Sequence, residues 1–208
     1  MNAQMRPAQP DAASAAFFAQ GAESAADGLY SAMFGKRADA VLHGLFMETG
    51  NEFSHQHTGI LWVEDAMAGV VHTLGGAERA ACQGRTNRLF MRYGWPAAWR
   101  LMMTYFAIRP ILDFFADVPH DQYYIEIVAI APDYRGRGLS RRLLEYAEAR
   151  AREAGYDALA LDVKIGNEPA WRSYLAFGFE ETARSEVARL GDETIQMARL
   201  VKPLVPQG

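Results

Sequence analysis

The second half of the chain has a pattern of apolar and polar positions that predicts alternating strands and helices. Residues 123–131, "YYIEIVAIA", predict a strand, and a helix with one apolar face follows it. Residues 156–163, "YDALALDV", predict a second, buried strand. Asn167 is a good N-cap for the next helix, which should stop at Gly178. This β-α-β-α order is typical of an α/β chain.

Both ends of the chain add further elements. The start predicts a short strand and then a helix that begins near Asp11. Two β-rich runs separated by Glu64 and Asp65 predict a hairpin. The last apolar runs, residues 179–190 and 193–201, predict an antiparallel hairpin. We therefore predict an α/β fold with a mixed sheet.

The pattern changes between about residues 77 and 121. Arginine-rich polar sequence gives way to an apolar stretch that is helical by spacing, and Pro110 is expected to break that helix. We predict a single domain over residues 1–208, in which this segment is a helical insertion. Three roles stay open for the insertion: a lid or acceptor pocket that uses Trp95 and Trp99, a dimer face, or a self-packed cap.

Composition limits the classes of function. The chain has 208 residues, of which 50% are hydrophobic, so it can bury one sizeable core. A formal net charge of -4 argues against binding of nucleic acid through a broad basic face. Cys82 is the only cysteine, which excludes a disulfide framework, and the start lacks the pattern of a signal peptide. We expect a cytoplasmic protein without a membrane span, because the longest uncharged apolar run, residues 101–108, is too short.

A glycine-rich turn, "RGRGLS", joins the strand at residues 123–131 to its helix. Backbone N–H groups of such a turn and the helix N-terminus converge on one concave site, which suits phosphate. A P-loop needs a lysine and then serine or threonine after its last glycine, but Leu139 and Ser140 stand there. A dinucleotide-binding turn needs a third glycine where Arg141 stands, although Asp162 lies about where the ribose-binding acid would be. A solvated turn without a ligand is the remaining alternative.

The turn also resembles the Gln/Arg-x-x-Gly-x-Gly/Ala motif of the GNAT superfamily of N-acetyltransferases. Residues 135–140 carry this resemblance, and residues 127–144 are similar to the family's fourth strand and third helix. Residues 167–179, "NEPAWRSYLAFGF", are similar to the Asn-x-x-Ala-x-x-x-Tyr-x-x-x-Gly-Phe segment that follows the family's fifth strand. The resemblance implies a GNAT-like fold, with a mixed, mostly antiparallel central sheet flanked by helices, and acetyl-CoA as acyl donor.

The resemblance also implies where acetyl-CoA would bind, without a metal. The turn would hold the pyrophosphate, and the pantetheine arm would enter a gap where the strand splays from its neighbour at a bulge. The Val128 N–H would then point at the thioester carbonyl and stabilise the oxyanion. The implied cofactor-binding residues are Val128, Ala129, Ile130, Arg135, Gly136, Arg137, Gly138, Leu139, Ser140 and Asn167.

Two residues are expected to be catalytic. Tyr174 aligns with the family's tyrosine near the departing sulfur, where it would hydrogen-bond the developing thiolate and then deliver a proton. Glu126 is the candidate base, because strict alternation places it on the strand face of Tyr124 and Val128, and glutamates on this strand serve as bases in parts of the family. A core tyrosine and a salt-bridge glutamate are the alternatives.

Polar residues of the first hairpin and the insertion suggest further roles. His55, His57 and His72 lack the third ligand and carboxylate pattern of a metal site, so we expect packed or solvated histidines. Glu52 and His55 could instead border the acceptor site. The insertion adds three arginines that could meet an acidic acceptor or the CoA phosphates: Arg85, Arg88 and Arg92.

These observations favour an N-acetyltransferase that moves the acetyl group of acetyl-CoA to a primary amine by direct attack in a ternary complex. The acceptor would be a small molecule or a peptide, and a second copy of the chain is a candidate partner. A non-catalytic acyl-CoA-binding regulatory module and a dinucleotide-binding oxidoreductase are the alternatives. The melting temperature tests the oxidoreductase alternative, because a CoA thioester should raise the melting temperature of an acyl-CoA-binding protein and NAD should not.

Overall fold

A computed structural model of the chain describes residues 2–95, 98–190 and 192–204. Within them, helices cover both faces of a seven-stranded sheet, and a two-stranded sheet lies beside it. The helices are α1 (Ala12–Ala25), α2 (Leu29–Phe34), α3 (Ala38–Met47), α4 (Gly76–Gly94), α5 (Ala98–Ala116), α6 (Ser140–Glu153) and α7 (Glu168–Phe177). The strands are β1 (Ala3–Pro7), β2 (Thr58–Val63), β3 (Ala66–Gly75), β4 (Gln122–Ile130), β5 (Ala158–Lys164), β6 (Glu180–Arg184), β7 (Ala188–Leu190), β8 (Glu193–Ile195) and β9 (Met197–Pro203).

The main sheet has the strand order β1-β2-β3-β4-β5-β9-β6. Neighbouring strands are antiparallel except β4 and β5, which are parallel and are joined through α6. The prediction of a mixed, mostly antiparallel sheet flanked by helices is therefore confirmed. The small sheet pairs β7 with β8, so the predicted C-terminal hairpin is divided between two sheets.

Two apolar layers sandwich the main sheet. On one face, α6 packs with its buried stripe, which includes Leu143 and Leu144, against the sheet. On the other face, α1 and α3 bury Phe18 and Phe46. Helix α1 begins as the sequence predicts, because the Asp11 carboxylate accepts a hydrogen bond from the Ser14 N–H at 2.8 Å.

The predicted insertion is the pair of helices α4 and α5, which lies between β3 and β4. The expected break at Pro110 is wrong, because α5 continues through this residue. A proline removes one intrahelical donor, and the neighbouring Ile108 and Ile111 are almost fully buried. Packing of the inner face of α5 therefore outweighs the loss of one hydrogen bond.

The outer face of the insertion carries large apolar side chains that are exposed: Met91, Trp95, Trp99, Met102, Met103, Tyr105 and Phe106. A group of exposed large apolar side chains on one pair of helices is typical of an interaction site. The homodimer stays a prediction, and this face is where we expect the second copy. None of the helices in the described residues has the length and apolar character needed to cross a bilayer.

Arg199 of β9 connects the end of the insertion to the sheet through hydrogen bonds. Its guanidinium donates to the carbonyl of Phe114 at 2.6 Å and to that of Asp117, near the C-terminal end of α5. It also makes two hydrogen bonds of 2.9 Å with the Asp162 carboxylate, which accepts a third bond from the Tyr124 hydroxyl at 2.8 Å. The helix end thus has cationic donors for carbonyls that lack intrahelical partners.

Replacement of Gly76 by alanine is expected to lower the free energy of unfolding by about 1–3 kcal/mol. A Cβ at Gly76 would lie 2.2 Å from the Pro119 carbonyl oxygen, which is backbone and cannot rotate away. Chemical denaturation measures the change. The matched control is Gly84→Ala on the same helix, where the nearest atom is the Arg88 Nη1 at 3.9 Å. The control should be neutral or stabilising by up to about 1 kcal/mol, and equal stability of both variants would contradict the contact.

Candidate active site

Strands β4 and β5 separate halfway along their length. They pair in register from Gln122 with Ala158 to Ile125 with Leu161, and the pairing stops there. Beyond that point β4 continues beside β3, and β5 continues beside β9. The two strands therefore diverge into a gap at the centre of the sheet, where the sequence resemblance implies the pantetheine arm would enter.

A β-bulge occurs in β4 where this gap begins. His72 of β3 pairs with Ile127 and Thr73 pairs with Ile125, so Glu126 is the extra residue on β4. A bulge disturbs the two-residue alternation and redirects side chains. Val128 accordingly packs with the α6 core, whereas Ile127 packs with the α1 and α3 core.

The bulge corrects one sequence expectation. Glu126 shares its surroundings with Tyr124, since the Arg79 guanidinium contacts both side chains. Val128 lies on the opposite face, because strict alternation fails at the bulge. Glu126 is consequently aimed toward the insertion and away from α6.

The backbone of β4 after the bulge has one edge without a partner strand. The Ala131 N–H donates to the Ala68 carbonyl of β3 at 2.9 Å. Alternate residues of a strand direct their N–H groups to opposite edges, so the Val128 and Ile130 N–H groups point away from β3. Since β5 no longer pairs there, the Val128 N–H faces the gap.

The glycine-rich turn has the backbone conformation that the sequence suggests. Gly136 and Gly138 have φ angles of 72° and 70°, a left-handed region that favours glycine. A Cβ at either position would meet no atom within 4 Å, so these glycines serve conformation and leave the surface open. Helix α6 starts here, with its early Arg142 N–H bonded to the Leu139 carbonyl at 3.0 Å. The first N–H groups of the helix therefore lie beside an open surface.

The arginines of the turn are held by the protein. Arg135 donates from Nε to the Ile130 carbonyl at 3.1 Å and from Nη2 to the Ser24 hydroxyl at 3.2 Å. Arg137 donates to the Asp133 carbonyl at 2.8 Å and lies over the Tyr134 ring. Both cations are thus fixed beside the turn, where they add positive potential for an anion.

Helix α7 is connected to this turn. Ser140, the first residue of α6, is 3.1 Å from the Ser173 hydroxyl, and Ser173 precedes Tyr174. Asn167 is the N-cap of α7, as predicted, with its side-chain oxygen accepting from the Ala170 N–H at 3.3 Å. The turn and Tyr174 are therefore brought to the same side of the gap.

The Tyr174 ring packs at the edge of the α6 core. Its centroid lies 6.0 Å from that of Phe179 in an edge-to-face arrangement. Burial raises the pKa of Tyr174 to about 12, so the phenol stays protonated at neutral pH. A protonated phenol can donate a hydrogen bond but is a weak acid.

A cavity of about 520 Å³ lies on the other side of β4. Glu126 and Ile127 line it, and α2, α4, α5 and the β7–β8 sheet form its walls. Within the described residues, its lining includes none from α7. Glu126 and Tyr174 thus lie on separate sides of the strand that carries the Val128 N–H.

Glu52, Arg79 and Glu126 form a mostly buried charged group in the lining of this cavity, here called the floor cluster. Arg79 Nε is 3.4 Å from Glu52 Oε2, and Arg79 Nη2 is 3.8 Å from Glu126 Oε1. Burial raises the pKa of Glu126 to about 7, against the opposing effect of Arg79. Burial likewise raises the pKa of Glu52. One guanidinium therefore faces two carboxyl groups.

His72 supports the floor cluster from behind and is not a metal ligand in this arrangement. Its Nε2 is 2.6 Å from the Glu52 carbonyl, which can only accept, so Nε2 carries the proton and Nδ1 accepts from the Thr58 hydroxyl at 2.8 Å. Burial lowers the pKa of His72 to about 3, which keeps the ring neutral. Among the described residues, no three potential metal ligands cluster.

Several predicted site residues lie elsewhere. Of Glu52 and His55, Glu52 lines the cavity, whereas His55 Nδ1 is 3.0 Å from the Phe46 carbonyl, outside the lining. Asp162 is closed off by Arg199 and Tyr124, with its side chain only 1% exposed, so it cannot serve a ribose as the dinucleotide alternative requires. These contacts argue against that alternative.

The arginines proposed for the insertion also differ from expectation. Arg85 and Arg92 form ion pairs with Glu48 at 2.9 Å and 3.6 Å, and neither lines the cavity. The cavity arginine is Arg79, which the sequence analysis missed. The sequence around Arg79 predicts a helix but not a contact with β4. That contact depends on how α4 packs against the sheet.

Part of the chain is similar in sequence to known acetyltransferases. Residues 102–179 match the model of the acetyltransferase (GNAT) family. A streptothricin acetyltransferase of Streptomyces lavendulae is 42% identical over 55 residues, which are 26% of this chain and 29% of that protein. A mycothiol acetyltransferase of Corynebacterium aurimucosum is 42% identical over 55 residues, or 26% of this chain and 18% of that protein. The similarity to both relatives thus spans less than a third of their length.

The fold agrees as well. The crystal structure of an N-acetyltransferase from Staphylococcus aureus Mu50 superposes with a TM-score of 0.68 at 18% identity, covering 95% of this chain and 99% of that chain. At this identity the likeness concerns the fold alone. The family match covers β4, the glycine-rich turn, α6, β5 and α7, which are the elements that form the gap. Residues 102–179 are therefore similar in sequence to the acetyltransferase (GNAT) family, and the chain shares its fold with that crystal structure.

Proposed function

We propose that the chain transfers the acetyl group of acetyl-CoA to a primary amine, which attacks directly in a ternary complex. The observation that carries this proposal is the gap between β4 and β5, with a glycine-rich turn at one end and Glu126 at the start of the splayed segment. We further propose that residues 1–208 form one acyltransferase domain, because the strands of both halves share one sheet.

The described residues fit acetyl-CoA, which supplies an activated acyl group when bound. The turn around Gly136 and Gly138 exposes helix N–H groups that suit a pyrophosphate. Val128, Ala129 and Ile130 present one backbone edge to the gap, where an extended pantetheine arm can pair with it. Arg135, Arg137, Leu139, Ser140 and Asn167 complete the proposed cofactor-binding residues.

Val128 would stabilise the charge that develops during transfer. Its N–H faces the gap and can donate to the acyl oxygen as that oxygen becomes negative. The bulge at Glu126 fixes the direction of this donor, because the extra residue determines which of the following residues direct their N–H groups toward β3 and which toward the gap.

Glu126 would be the base. An alkylammonium with a pKa of about 10.4 costs on the order of 4.6 kcal/mol to deprotonate at pH 7. The raised pKa of Glu126, about 7, makes its carboxylate a better proton acceptor than an exposed glutamate. Its Oε2 is buried without a hydrogen-bond partner within the described protein, which supports a role toward a bound donor.

Tyr174 would assist the leaving group as a hydrogen-bond donor. With its pKa raised to about 12, the phenol lies roughly 3.5 pK units above a thiol of pKa about 8.5, so full proton transfer would be uphill by about 5 kcal/mol. A hydrogen bond to the developing thiolate needs no such transfer. We therefore propose that Tyr174 mainly stabilises the thiolate. The CoA thiolate then takes its proton from solvent.

The experiment that tests the function is release of CoA thiol from acetyl-CoA across a pooled panel of primary amines. Gly138→Ala should raise the KM for acetyl-CoA about tenfold or more, because it places a Cβ at the turn and strains a φ of 70°. Gly155→Ala is the matched control, since this glycine has a φ of 76° and an equally open surface at the other end of α6. Tight binding without thiol release from any amine would favour the regulatory module.

A further inference from the structure

We propose that the acceptor is a small primary monoamine with an apolar body, and that Glu52 and Glu126 hold its ammonium group at the floor cluster of the cavity. This inference rests on the proposed function for the reaction, but the binding preference stands on the cavity itself. It excludes diamines, polyamines and peptide N-termini as preferred acceptors.

The size of the cavity limits the acceptor to a small molecule. Its volume of about 520 Å³ falls within the range of about 300–1,000 Å³ typical of pockets for single small ligands. One end reaches the bulge in β4, so a ligand that fills the cavity places one of its ends beside Glu126. The reacting nitrogen would be at that end.

The walls of the cavity select an apolar body. They combine aromatic and aliphatic side chains from the α2 region, the insertion and the small sheet: Tyr30, Phe53, Phe90, Ile108, Ile111, Leu112, Phe115, Leu190, Ile195 and Met197. Such walls stabilise a ligand mainly through the transfer of its apolar surface from water into the cavity, and they form few hydrogen bonds with it. A strongly polar or highly charged body would lose hydration there without compensation.

When both of its carboxyl groups are ionised, the floor cluster has one positive charge fewer than negative charges. Arg79 is the cation that the structure places against both carboxyl groups, and it also donates to the Phe115 carbonyl. The Glu126 Oε2 has no hydrogen-bond donor within the described residues, because the His72 Nε2, which lies 3.8 Å from it, donates to the Glu52 carbonyl instead. An ammonium group supplies both the missing charge and the missing donors.

The remaining acids of the lining do not form a second buried ammonium site. Asp162 is occupied by Arg199 and Tyr124. Asp27 and Glu193 share Lys164, and their side chains are 68% and 55% exposed. Exposed carboxylates that already have a cation add little for a second ammonium group. The distribution of charge therefore suits one amine.

The bridge from Asp27 through Lys164 to Glu193 also limits access. It joins the turn after α1 to β8, its two carboxylate side chains are more than half exposed, and all three residues line that cavity. A peptide bound by its N-terminus would have to continue past this bridge. A small molecule is enclosed by it.

The test compares four probes: 2-phenylethylamine, its neutral analogue 2-phenylethanol, 1,4-diaminobutane and a tetrapeptide with a free N-terminal alanine. Titration calorimetry in the presence of CoA measures their binding without chemistry, and thiol release from acetyl-CoA measures transfer. We expect 2-phenylethylamine to bind at least about tenfold more tightly than each of the others. Equal or tighter binding of the diamine or the peptide would overturn the inference.

Two variants locate the effect. Glu52→Gln should remove most of the preference for 2-phenylethylamine over 2-phenylethanol, because it removes one of the two carboxylates of the floor cluster. Glu48→Gln is the matched control, since Glu48 pairs with Arg85 outside the cavity and should leave the preference unchanged. An unchanged preference in Glu52→Gln would contradict the proposed ammonium site.

The two measurements separate this inference from the proposed function. Selective binding of 2-phenylethylamine without thiol release supports the amine site and contradicts the transferase. Thiol release that prefers the diamine or the peptide supports the transferase and overturns the monoamine inference.

Discussion

Replacement of Glu126 by glutamine is expected to lower kcat/KM by about 10²–10⁴-fold, the range typical of a lost general base. The wild-type profile of kcat/KM should rise with pH through about 7, since the base works only when its carboxyl group has lost its proton. Glutamine has the same shape but cannot accept the proton, so the rise near pH 7 should disappear. Steady-state kinetics between pH 5 and 9 with saturating acetyl-CoA measure both effects.

The matched control for this variant is Glu78→Gln. Glu78 is in the first turn of α4, its side chain is 54% exposed and it does not line the cavity. Glu78→Gln therefore removes the same charge as Glu126→Gln, but at a position outside the cavity. We expect an unchanged pH profile. If Glu126→Gln keeps both its activity and the rise near pH 7, the base is another group.

Replacement of Tyr174 by phenylalanine is expected to lower kcat by about 10- to 100-fold, because a hydrogen bond to a charged group contributes about 1.5–3 kcal/mol. The ring would keep its edge-to-face contact with Phe179, so the dissociation constant of acetyl-CoA should change by less than about twofold. Single-turnover kinetics separate the chemical step from binding.

The control for this second variant is Tyr146→Phe on α6. Tyr146 is a partly buried tyrosine that packs in the same core, and burial raises the pKa of its phenol as well. Its loss of a hydroxyl should leave kcat unaltered. An unchanged kcat in Tyr174→Phe would show that the leaving thiolate needs no donor from this residue.

The local structure around the proposed cofactor-binding residues could be predicted from the sequence because its signals are local. The left-handed glycines at 136 and 138, the N-cap at Asn167 and the apolar stripe of α6 each depend on a few neighbouring residues. Similarly, Asp11 and the alternation in β4 determined where α1 begins and that residues 122–130 form a strand.

The cavity proposed for the acceptor could not be predicted in the same way. Arg79 meets Glu52 and Glu126 because α4 packs back against β4, and the three positions are far apart along the chain. The failure at Pro110 has the same origin, since tertiary packing of Ile108 and Ile111 outweighs a local helix-breaking signal.

The sequence by itself determined the order of elements, the turn and the residues that the family resemblance assigns to acetyl-CoA, because these follow from short-range pattern and backbone preference. Only the tertiary structure decided on which side of β4 each catalytic candidate lies. A single extra residue at Glu126 reverses the alternation that follows, and the pairing with β3 that creates this bulge is a long-range contact. The pKa of Glu126 depends on the same contacts, since burial by distant elements raises it.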